Sequence, residues 1–124
     1  MTKTKSSETQ VKLDLILEAL QEKKGKEIVT INLEKVGYAI CDYFVICQGD
    51  STTQVDALSD AVYRKLKTEH KTAPHHIEGN DNSIWILLDY FDIVVHIFLN
   101  EKRSFYNLEE LWAEGELVRI EDET

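Results

Sequence analysis

The sequence predicts an α/β domain built on a single mixed β-sheet of about five strands flanked by helices. Three observations lead there. Segments with a helical apolar repeat alternate with segments of strand character in the order α-β-β-α-β-β-β-α, which one covered sheet satisfies most simply. The stretch "DYFVICQG" is apolar on both of its faces, as a central strand buried from both sides must be. The 124 residues suffice for one compact core and contain no repeat, low-complexity block or linker.

The elements follow in chain order. The first eight residues are polar and are expected to be a disordered tail. Val11, Leu15, Ile16, Ala19 and Leu20 then recur at helical spacing. Gly25 is expected to end that helix, with Lys23 and Lys24 favourably placed at the negative end of its dipole. "EIVTINL" alternates as a strand, and "DYFVICQG" is the central one. Ser51 or Thr52 can cap the next helix, whose stripe is Val55, Leu58, Val62 and Leu66. Pro74 breaks the chain, "HHIEG" offers a short strand, and "NDN" turns into the hairpin "WILLDYFDIVVHIFL". Asn100 can start a short helix. Asn107 can cap another, with Glu110 in its first turn and Gly115 at its end. The ordered domain is therefore expected over residues 9–114, with residues 115–124 an acidic tail.

Charge narrows the partner. With 23 acidic against 14 basic residues the net charge is -9, whereas duplex affinity comes largely from Lys and Arg neutralising phosphates. Nucleic acid is thus not expected as the main partner. The acids either keep the domain soluble or steer it towards a basic partner. No apolar run is long enough for a membrane span, and "MTKTKSSETQ" lacks the apolar core of a signal peptide. Cys41 and Cys47 read as reduced thiols. A cytoplasmic location follows as the expectation.

The candidate chemistry is thin. Asp89 and Asp92 could bind magnesium, but three-residue spacing puts them on opposite faces of a regular strand, and Asp is a favoured turn residue. "QGDS" joins strand to helix through one glycine without the lysine of a phosphate loop, so Ser51 reads as a cap. His75 and His76 are adjacent and point apart in a strand, and His70 falls at a helix end. No metal or cofactor is expected. The hairpin carries more information. Val94, His96 and Phe98 share one face of its second strand, and Trp85, Leu87 and Asp89 share one face of its first. Opposite them lie Ile93, Val95, Ile97 and Leu99, and Ile84, Ile86, Leu88 and Tyr90. The aliphatic set reads as core. The mixed set lies either beneath a helix or partly open as an interface.

"CDYFVICQGDSTTQVDALSDAV" (Cys41 to Val62), Glu78-Gly79, "WILLDYFDIVVHIF" (Trp85 to Phe98) and "RSFYNLEELW" (Arg103 to Trp112) resemble the ribosomal silencing factor (RsfS, Iojap) family. The resemblance implies a nucleotidyltransferase-like fold without catalysis. It also implies binding to ribosomal protein L-fourteen of the large ribosomal subunit, blocking of subunit joining, and repression of translation under nutrient limitation. On that basis Trp85, Leu87, Asp89, Tyr90, Asp92 and His96 are the expected partner-binding residues, in a chain that is a monomer or weak homodimer when free. The rival is a small magnesium-dependent nucleotidyltransferase using Asp89, Asp92 and the turn at Gly49. A third reading is a homodimer burying the mixed face.

Overall fold

A computed structural model describes residues 2–121, with side chains from Glu8 onward. Its first element, α1 (Thr2–Glu22), is followed by β1 (Lys26–Asn32) and β2 (Tyr43–Gly49). Next come α2 (Thr52–His70), β3 (His76–Glu78), β4 (Trp85–Asp89) and β5 (Ile93–Leu99). Two short helices, α3 (Asn100–Tyr106) and α4 (Leu108–Leu111), precede β6 (Glu116–Arg119). The strands form one sheet in the order β3-β4-β5-β2-β1-β6. Among the described residues only β2 and β5 pair in parallel, with Tyr43 beside Ile93 and Gly49 beside Leu99, so the sheet is mixed.

The two faces are covered differently. Helices α1 and α2 lie on one face, where Ile16, Leu20, Leu58 and Leu66 meet Val45, Ile86, Leu88, Val95 and Ile97, all fully buried or nearly so. Lys65 of α2 reaches Glu18 and Glu22 of α1 and fixes how the two helices lie together. On the other face Val29, Ile31, Ile46, Val94 and Phe98 form a smaller cluster, partly roofed by Val36, Leu108 and Trp112. The aliphatic side of the hairpin is therefore the helix side, and its mixed side is the thinly covered one.

Helix ends follow local chemistry. Ser51 caps α2, its Oγ accepting the N–H of Gln54 at 3.1 Å. At the end of α1 the left-handed residue is Lys24, with φ of 63°. The N–H groups of Lys24 and Gly25 close onto Gln21 O and Leu20 O at 3.0 and 2.8 Å, the paired bonds of a Schellman motif. The left-handed cap is thus Lys24, one position before the expected Gly25. The missing side chain of Gly25 serves packing, because a Cβ there would lie 2.5 Å from Cys47 Sγ. Asn107 closes α3 in a left-handed conformation (φ 47°) and does not cap α4 through its side chain, which donates instead to Glu110 at 3.1 Å.

The expected boundaries change at both ends. Among the described residues six strands replace about five, because Glu116–Arg119, expected in the acidic tail, adds an edge strand beside β1. Its four side chains are all exposed. Backbone pairing and one exposed ion pair, Arg119 with Glu27 at 3.6 Å, hold it, so no apolar alternation announces it. Ile120 continues the ladder with a 2.8 Å bond to Ile28 O. Of the expected disordered tail, residues 1–8, only Glu8 has a described side chain. It meets His70 at 3.0 Å, and the rest lies outside the residues described with side chains.

Candidate functional site

The β4–β5 register sets Trp85 beside Phe98, Leu87 beside His96 and Asp89 beside Val94. Directly opposed residues share a face, so all six project away from α1 and α2. The parallel register adds Phe44 beside Val94 and Ile46 beside His96. These strands and the chain before β2 enclose a hollow of about 190 Å³. Leu33, Ile40, Cys41, Phe44, Leu87, Asp89, His96 and Trp112 are among the residues lining it. A wider cleft, along α2 at Asp56, Asp60 and Tyr63, is open and polar; it has neither the depth nor the apolar lining that binds a side chain.

An aromatic series borders the hollow. Tyr38 contacts Trp112, Trp112 contacts Phe44 edge-on at 5.4 Å, and Phe44 contacts His96 at 4.6 Å. Trp85 stacks on Phe98 at 4.9 Å and lies 4.5 Å from Tyr106 of α3. The indole N–H of Trp85 donates to Nδ1 of His96 at 3.2 Å. Indole is only a donor, so Nδ1 is bare and the imidazole proton sits on Nε2. His96 is 4% exposed, and burial lowers its pKa to about 3. A neutral, fixed imidazole thus holds the largest ring of the face in one orientation.

Four of the six expected residues, Trp85, Leu87, Asp89 and His96, meet on this face. Tyr90 does not. It is 3% exposed and belongs to the helix-side core, as its parity with Leu88 requires, and burial raises its hydroxyl pKa. Asp92 is also turned away. Its carboxylate accepts from Thr9 Oγ1 at 2.7 Å and from Lys12 Nζ at 2.9 Å, tying the hairpin to α1. The two aspartates thus have separate partners, Asp92 on the α1 side and Asp89 at the turn. Asp89 instead turns its Oδ1 to the N–H of Phe91 at 2.8 Å while lining the hollow.

Sequence reasoning missed Tyr38, Ile40 and Phe91, which are 61%, 94% and 67% exposed. The first two lie in the irregular chain before β2, where no period marks an inward or outward side. Cys41, at the hollow's wall, is a poor nucleophile, because burial, Asp42 and Asp89 push its thiol pKa up to about 12. No disulfide joins it to Cys47. Among the described residues no cluster of three or more His, Cys, Asp or Glu is arranged to hold a metal, and no helix is long and apolar enough to cross a membrane.

Residues 4–124 match the family described as "Ribosomal silencing factor during starvation". The chain belongs to this family. It is 35% identical over 109 residues to the ribosomal silencing factor RsfS of Halalkalibacterium halodurans, covering 88% of this chain and 92% of that one. It is 31% identical over 121 residues to a mouse protein named "Mitochondrial assembly of ribosomal large subunit protein 1", covering 90% of this chain and 51% of that one. A crystal structure of a Chromobacterium violaceum protein superposes with a TM-score of 0.79 at 36% identity, over 84% of this chain and 85% of that one. The names carried by the RsfS relatives are those of regulators, which points to a non-enzyme.

Proposed function

We propose that this RsfS-family chain docks on ribosomal protein L-fourteen of the large ribosomal subunit and sterically blocks the small subunit. Translation falls as a result when nutrients are scarce. The reaction-free mechanism needs only occupancy, and its strength follows the affinity of the docked complex. The observation that carries this reading is the hollow between His96 and Trp112, an apolar recess open at Ile40 and bordered by the Asp89 carboxylate. Such a recess receives an apolar anchor from a partner, while an acidic rim selects a basic one.

The chemistry of the face supports a protein partner. Trp85 is held by Phe98, Tyr106 and His96 before any partner arrives, so little rotamer freedom remains to be lost on docking. The net charge of -9 raises the encounter rate with a basic surface and opposes approach to exposed RNA. A cytoplasmic location suits this role. The mouse relative's name, which concerns large-subunit assembly, favours the same subunit.

The test is sedimentation of purified large and small subunits with the protein added. It is expected to travel with the large subunit and to reduce the fraction of joined ribosomes. Protein remaining at the top of the gradient, with joining unchanged, rules the reading out.

A further inference from the structure

The tip of the β4–β5 hairpin carries a large aromatic residue where backbone sterics favour glycine. Phe91 has φ of 75°, in the left-handed region that a Cβ disfavours and that Gly or Asn enters readily. The N–H of Asp92 bonds back to Tyr90 O at 2.9 Å across it, the rarer and strained form of γ-turn. Core packing does not explain the ring, since Phe91 is 67% exposed. Strain kept at an exposed position is a reason to look for function there.

The ring is nevertheless held. One side lies against the imidazole of His75, with centroids 4.1 Å apart and planes at 34°. Asp89 fixes both partners of that stack. Its carboxylate accepts the N–H of Phe91 at 2.8 Å, and its backbone carbonyl accepts the N–H of His75 at 2.7 Å. An aromatic face is therefore presented beside a half-buried carboxylate that also lines the hollow. That combination recognises a cation, and a guanidinium more than an ammonium. A planar guanidinium can stack on a ring while its N–H groups reach a neighbouring carboxylate.

Resting on the docking reading above, we propose that Phe91, backed by His75 and adjoining Asp89, is a receptor for an arginine side chain of the docked ribosomal protein. The receptor extends the face past the hairpin turn, where the sequence offered only a loop. The chain's acidic balance favours the same occupant.

Affinity for purified large subunits, measured for wild type, Phe91→Asn, Phe91→Tyr, Asp89→Asn and the double variant Phe91→Asn with Asp89→Asn, tests the assignment. Asn accepts positive φ, and the amide at position 89 keeps an acceptor for the turn, so both hairpins should fold. Phe91→Asn should bind about fivefold more weakly with a melting temperature at or above wild type, and Phe91→Tyr should restore affinity. The double variant should lose less than the product of the single losses, because one guanidinium serves both groups. Binding of Phe91→Asn within twofold of wild type, or single losses that simply multiply, overturns the arginine receptor alone. Wild-type protein that does not bind large subunits overturns the docking reading and this receptor together.

Discussion

At the scale of single residues, the two aspartates of the hairpin have separate jobs. Asp92 is a bolt between the turn and α1, its side chain 13% exposed and ion-paired with an equally sheltered Lys12. Asp92→Ala should destabilise the fold by about 2 kcal/mol, the scale of a charged hydrogen bond lost in a sheltered place, yet leave large-subunit affinity unchanged once folded. Chemical denaturation paired with a binding titration separates the two effects. Leu87→Arg, on the floor of the hollow, should do the reverse and abolish binding with the smaller stability cost, as sedimentation and melting would show.

His96 adds a pH dependence with a definite sign. Its pKa falls from about 6.5 in the unfolded chain to about 3 in the fold. Between those values the unfolded chain binds the extra proton, so stability is full above about pH 6.5 and is lost as pH falls towards 3. From neutrality to about pH 5 the loss attributable to this residue is about 2 kcal/mol. His96→Phe should flatten that part of the stability–pH curve, measured by urea unfolding at each pH. An unchanged slope would mean that the imidazole is solvated.

At the scale of elements, α3 and α4 act as a bracket that brings Tyr106 to Trp85 and Trp112 to Phe44. Arg103 holds the bracket to the sheet. It is 7% exposed, pairs with Glu109 at 2.8 Å, and donates to the carbonyl of Glu27 and to Gln48 Oε1. Arg103→Met breaks the pair and should cost about 3 kcal/mol. It should also shift tryptophan emission to the red as both indoles gain solvent, a change that fluorescence reads directly. Most elements were legible because burial enforces a period: α2 shows its stripe, and β5 shows its two sets. β6 was not, since its side chains are exposed and backbone pairing does most of the holding. The facing of Trp85, Leu87, Asp89 and His96 followed from alternation, whereas Asp92 follows a turn whose geometry no alternation describes. Which face stayed open depended on where α1 and α2 docked, a tertiary fact that no segment of the sequence carries alone.

At the scale of the whole molecule, the structure is a sheet insulated on one side and thinly covered on the other. The parallel pair at its centre joins β2 to β5, with α2, β3 and β4 lying between them in the chain. The proposed docking face therefore draws on Phe44 before that insertion and on Trp112 beyond it. Contacts so distant along the chain form late, after the entropy of closing the intervening loop has been overcome. During synthesis, a growing chain can lay α1 on its first strands before the far wall of the hollow exists. On the docking reading, a chain released before Trp112 lacks one wall of the hollow and is expected not to silence.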